Sequence, residues 1–121
     1  MIKGTGIDLV SIPRFTEVIN RRGRRLLEKV FSPVERETCS LREYKLAGRF
    51  AAKEAFFKAL GTGFRGFKWQ DLEVRNNELG APYFCFSERL RKYLEEQGIT
   101  SAHLSISHDQ EYAIAQIILE G

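Results

Sequence analysis

The segment from residue 42 to residue 60 constrains this chain more than any other. It is the strongest helical pattern in the sequence, rich in alanine, phenylalanine and leucine, and it ends at Gly61-Thr62-Gly63. Glycine just past the last helical residue is a common helix stop, because it enters the left-handed cap without strain. At about 100° per residue, Ala47, Phe50, Ala51, Glu54, Phe57 and Lys58 share one half of the helix. Glu54 thus sits among small and aromatic residues, where an unpaired charge is costly.

Shorter elements surround this helix. Residues 2–10 form a glycine-containing strand pattern, after which Ser11 caps a helix with Pro13 in its first turn. That helix carries Phe15, Val18 and Ile19 on its apolar face and is interrupted at Gly23. Ser32-Pro33-Val34-Glu35 has the spacing of a capping box and starts a helix that reaches about Cys39. Residues 71–76 and 82–86 predict a hairpin around Asn76-Asn77-Glu78-Leu79-Gly80. Ser87 to Gln97 is amphipathic and stops at Gly98. Residues 102–108 and 112–119 alternate as strands joined by Asp109-Gln110-Glu111. Helices and strands mix without βαβ alternation, so the predicted class is α+β: a small antiparallel sheet packed with helices, around one long central helix.

At 121 residues the chain reads as a single domain, 1–121. A hydrophobic fraction of 43% supports an ordinary core, but so small a domain leaves much surface exposed, and oligomerisation would help it. No stretch approaches a membrane span and the N-terminus lacks a signal-peptide pattern, so a cytoplasmic protein with no membrane partner is expected. The two cysteines, Cys39 and Cys85, have no metal-ligand spacing, and Cys85 reads as a small buried hydrophobe. Net charge is +3, concentrated around Arg21, Arg22, Arg24 and Arg25, with Arg14 and Lys29 flanking. Such a patch attracts polyanions or acidic proteins, or is simply a solvated turn between helices.

Three positions are candidates for chemistry. Asp8 shares a strand face with Gly4, Gly6 and Val10, and the two glycines leave room for a ligand or metal, although an Asp at a strand end also serves as a helix cap. Glu54 has Lys58 one turn away, which fits either a salt bridge or a site. Two carboxylates and a lysine together suit magnesium, which takes oxygen ligands and substrate phosphate, with the lysine neutralising a second phosphate. The Gly61-Thr62-Gly63 backbone can bend close to such a phosphate, although no P-loop lysine follows it. His108 shares a strand face with Leu104 and Ile106, where a lone histidine is more often structural than catalytic, and the lack of a nucleophile elbow or zinc spacing counts against a hydrolase.

These segments resemble the holo-acyl-carrier-protein synthase type of phosphopantetheinyl transferase. The likeness rests on Gly6-Ile7-Asp8-Leu9-Val10, on the run from Leu46 to Gly63, and on His103-Leu104-Ser105-Ile106-Ser107-His108 with Glu111-Tyr112-Ala113. Three motifs in the right order make it specific. It implies transfer of 4′-phosphopantetheine from coenzyme A to a serine of acyl carrier protein, in support of fatty acid biosynthesis. It implies that Asp8 and Glu54 hold Mg2+, that Lys58 contacts a phosphate, and that Arg49, Gly61, Thr62, Gly80, Pro82 and His108 lie along the coenzyme A site. Glu54, as a magnesium ligand and a base acting through bound water, is the candidate for deprotonating the serine. A homotrimer with active sites between subunits is implied, together with docking of the acidic carrier on Arg14, Arg21, Arg22, Arg24 and Arg25. Leu79 departs from the family, which often has asparagine there. The alternative is a small basic nucleic-acid-binding module built on the arginine tract, but the tract has little aromatic interleaving, and no nucleic acid is expected as a partner.

Overall fold

Strand β1 (Ile2–Ser11) runs directly into helix α1 (Ile12–Arg22), and Ser11 makes the junction by accepting a hydrogen bond from the Arg14 amide at 3.3 Å. This is a computed structural model, and it describes residues 1–63 and 66–121. Gly23 breaks α1 from α2 (Arg24–Val30). Ser32 and Glu35 close a reciprocal capping box at the start of α3 (Pro33–Thr38). The central helix α4 (Glu43–Leu60) ends in a left-handed Gly61, whose amide bonds back to Phe57 and Lys58. A 3-10 turn (Trp69–Asp71) then leads into the hairpin β2 (Leu72–Asn76) and β3 (Pro82–Phe86). Helix α5 (Glu88–Glu96), β4 (Ser101–His108) and β5 (Tyr112–Glu120) complete the chain.

The predicted α+β class and every predicted element are present. A three-stranded antiparallel sheet has the order β1-β5-β4, and β2 with β3 forms a second, two-stranded sheet. In the larger sheet Asp8 lies opposite Ala115, and Ala115 opposite Ile106, so these three point to one face. Helix α4 covers that face. It packs Ala51, Ala55 and Ala59 with Ala115, Ile117 and Leu119 in one core cluster, and Leu46 and Ala47 with Phe15, Phe31 and Ala113 in a second.

The glycines of β1 correct the sequence reading. An ideal Cβ on Gly6 would lie 1.9 Å from the Ala55 carbonyl oxygen, and one on Gly4 would lie 2.1 Å from that of Ala59. The space beside Asp8 on this strand is therefore filled by the backbone of α4, not left open for a ligand. Glycine is needed because strand and helix approach more closely than any side chain allows. That approach carries Glu54 and Lys58 to the level of Asp8.

A buried ion pair fixes the other side of α4. Lys53 and Glu35 are both fully buried, 2.7 Å apart. Lys53 also donates to the carbonyls of Val30 and Trp69, while Glu35 accepts from the amides of Ser32 and Val74. Burial pulls the Lys53 pKa down, and the adjoining carboxylate opposes that shift. Cys39 is buried and Cys85 only half-buried; both are free thiols.

Candidate active site

Asp8 reaches its position from the last third of β1, and Glu54 and Lys58 from successive turns of α4. The Lys58 amino group donates to Asp8 Oδ1 at 2.7 Å and to the Ile7 carbonyl at 3.2 Å. The sequence allowed Lys58 to pair with Glu54; the structure pairs it with Asp8 instead, because the glycine-mediated contact places the strand carboxylate within its reach. Asp8 Oδ2 is buried and has no hydrogen-bond partner among the described residues. Burial raises the Glu54 pKa, the Asp8 charge raises it further, and Lys58 partly opposes both. The Lys58 pKa is raised, first by its hydrogen bond to Asp8. Two carboxylates that repel each other, one with an orphaned oxygen, form an arrangement that a divalent cation would stabilise. Among the described residues no cluster of three or more metal-ligating side chains occurs, so such a cation would depend on water or substrate oxygens as well. Gly61 and Thr62 follow Lys58 at the end of α4, and Thr62 Oγ1 donates to the Gly63 carbonyl at 3.2 Å.

The remaining predicted nucleotide contacts lie elsewhere. Arg49, Gly80, Pro82 and His108 line a small cleft of about 210 Å³ on the β4 side of α4, together with Lys45 and Asn76. Arg49 is buried and donates to Asn76 Oδ1 at 2.7 Å, while its Nε has no partner among the described residues. His108 packs against Tyr44, with ring centroids 5.0 Å apart. Asp8 stands on one edge strand of the sheet and His108 on the other, with β5 between them and the body of α4 above. The structure thus gathers the predicted site residues into two clusters, not one. Lys45, Tyr44 and Asn76 were not singled out from sequence, although Lys45 and Arg49 are one helical turn apart and share a face.

The hairpin beside this cleft is held by Asn77, whose Oδ1 accepts from the amides of Leu79 and Ala81. Leu79 is almost wholly exposed and does not line the cleft. Its side chain is consequently not needed for the turn.

The basic tract borders a third feature. Helices α1 and α2 enclose a groove of about 1120 Å³ whose walls include Phe15, Val18, Ile19, Leu26 and Trp69. Arg14, Arg22, Arg25 and Lys29 line it, and among the described residues no acidic side chain does. Arg21 and Arg24 are exposed outside it, and Arg24 lies 3.9 Å from Glu28.

Residues 4–117 match the family model of the 4′-phosphopantetheinyl transferase superfamily. The chain belongs to that superfamily. Among curated transferases, the holo-[acyl-carrier-protein] synthase of Trichlorobacter lovleyi is 49% identical, with 99% of this chain and 98% of that protein covered. The synthase of Halothermothrix orenii is 45% identical at the same coverage. The crystal structure of the Neisseria meningitidis synthase superposes with a TM-score of 0.94 at 36% identity, over the full length of both chains. That of Helicobacter pylori, solved in complex with coenzyme A, superposes at 0.88 with 33% identity, covering 96% of this chain and 99% of that one.

Proposed function

We propose that this chain is a holo-[acyl-carrier-protein] synthase, transferring 4′-phosphopantetheine from coenzyme A to a serine of apo-acyl carrier protein and releasing adenosine 3′,5′-bisphosphate. The observation that carries the site assignment is the buried, unpartnered Asp8 Oδ2 beside Glu54 and Lys58. These residues fit Mg2+: Asp8 and Glu54 would hold it, and it would supply charge neutralisation at the coenzyme A pyrophosphate. Lys58 would neutralise a further phosphate oxygen, with the backbone at Gly61 and Thr62 close by. The serine oxygen bonds to the β-phosphorus of coenzyme A as the bond from that phosphorus to the bridging oxygen breaks. The leaving bisphosphate keeps the bridging oxygen, and Glu54 accepts the serine proton. As a ligand of the cation, Glu54 would act as base through a bound water rather than by direct contact.

The cleft holding Arg49, Gly80, Pro82 and His108 would receive the nucleotide end of coenzyme A. It lies across α4 from Asp8, so a complete site is best assembled from two copies: the metal-binding flank of one and the nucleotide cleft of its neighbour. The sheet face turned away from α4 carries exposed Ile7, Leu9 and Tyr112, of which Leu9 and Tyr112 also border the groove between α1 and α2, and packing into a homotrimer would bury the Ile7 end of this surface. The groove between α1 and α2 combines cations with an apolar floor, which suits an acidic amphipathic helix of the carrier better than a uniformly charged nucleic acid. No described helix is long and apolar enough to cross a membrane.

Mass spectrometry of apo-acyl carrier protein incubated with the protein, coenzyme A and magnesium tests the reading. The carrier should gain one phosphopantetheine on its serine, and Asp8→Ala should abolish the gain while remaining folded. An unmodified carrier with the wild-type protein would overturn the assignment.

A further inference from the structure

Lys58 occupies an unusual place for a residue expected to meet a phosphate. Its side chain is 56% exposed, yet its amino group is held by two acceptors from β1, Asp8 Oδ1 at 2.7 Å and the Ile7 carbonyl at 3.2 Å. Asp8, only 11% exposed, thus has one oxygen taken by a cation of its own chain and the other buried without a partner. Glu54 lies on the same helix one turn away, but the lysine does not bridge to it.

An ammonium group and a divalent cation compete for one carboxylate in two ways. The lysine neutralises the charge that would attract the metal, and at separations of about 4 Å the two cations repel each other. The lysine leaves Asp8 easily only if another anion receives it. The pyrophosphate of coenzyme A is such an anion, and the exposed, flexible stem of Lys58 can follow it. We propose that Lys58 is a counter-ion latch on the metal site. In the free protein it holds Asp8 and weakens divalent-cation binding; the coenzyme A pyrophosphate draws it away, so that metal and coenzyme A bind tightly only together. The latch rests on the reading of Asp8 and Glu54 as metal ligands and adds to it an energetic coupling between metal and substrate, which must be reciprocal.

Manganese is a convenient probe, because free Mn2+ can be counted by electron paramagnetic resonance without turnover. Wild type, Lys58→Met, Lys58→Arg and Asp8→Asn would each be titrated with Mn2+, with and without saturating coenzyme A. Exposed ion pairs are individually weak, so Lys58→Met should bind Mn2+ about three- to tenfold more tightly than wild type without coenzyme A. Lys58→Arg keeps the cation and should stay within about twofold of wild type. The tightening that coenzyme A produces should shrink in Lys58→Met. Equal or weaker Mn2+ binding by a folded Lys58→Met protein would overturn the latch while leaving the metal site in place. If wild type fails to bind Mn2+ even with coenzyme A, or Asp8→Asn binds it as well as wild type, the metal reading falls and the latch falls with it.

Discussion

At the scale of single residues, function and stability pull in opposite directions at Glu54. Burial and the Asp8 charge raise its pKa above the ordinary value of 4.5, so the folded protein holds that proton to higher pH than the unfolded chain does. Stability is then lost as pH rises from the ordinary value through the raised one. Glu54→Gln removes this penalty. In chelator-treated protein, Glu54→Gln should raise Tm by a few degrees at neutral pH and leave it unchanged near about pH 3.5, where both forms are neutral. Thermal melts across that range measure the difference, and an equal gain at both ends would assign it to another cause. Lys53 behaves in the opposite manner. Lys53→Met leaves the fully buried Glu35 charge without its partner, and unfolding in urea should show a loss of about 3–5 kcal/mol. Adding Glu35→Gln should restore part of that loss, since the neutral side chain no longer carries a buried charge. Neither member of this pair was visible as a pair in the sequence. Glu35 read only as a capping residue and Lys53 as one position of a motif, because their meeting depends on how α3 lies against α4.

At the scale of elements, local signals were legible and approach distances were not. The α4 boundaries, the capping box at Ser32 and both hairpins follow from periodicity and turn residues, which act over a few positions. Gly4 and Gly6 were equally visible, but their purpose was misread. A glycine that admits a ligand and a glycine that admits a helix backbone look alike until the helix is in place. The same limit hid the division of the site, because each motif residue was readable by itself while the flank of α4 it occupies was not. Helix α1 shows the limit of spacing alone. Arg14 and Arg21 are seven residues apart, but only Arg14 borders the apolar groove, while Arg21 is exposed outside it. Arg14→Glu and Arg21→Glu should each raise the carrier KM by about tenfold at low ionic strength, fading as salt is added. The KM for coenzyme A should change little. Steady-state kinetics at two salt concentrations decide the point, and an unchanged carrier KM at low salt would move the docking face elsewhere.

At the scale of the whole molecule, one chain carries all the candidate residues and yet does not place them together. Arg49 and Glu54 are five positions apart on α4, so they project about 140° from each other around its axis. The Arg49 side chain is tied to Asn76 on the β2–β3 side, while Glu54 faces the Asp8 strand. An arginine so placed cannot serve a pyrophosphate held beside its own Glu54 without breaking that contact and crossing the helix. In the proposed trimer it has no need to, since it serves the neighbouring subunit's Glu54. Two inactive variants, Arg49→Ala and Glu54→Ala, should therefore rescue each other when co-expressed. With random assembly around a three-fold axis, about a quarter of interfaces receive an intact Arg49 from one subunit and an intact Glu54 from the next. Carrier modification by the mixed protein should recover toward that fraction of the wild-type rate, while each variant alone stays inactive. Mixed assemblies can be isolated with a different affinity tag on each variant, so failure to mix is distinguished from failure to rescue. If doubly tagged trimers form and remain inactive, both residues act within one chain and the shared site is excluded.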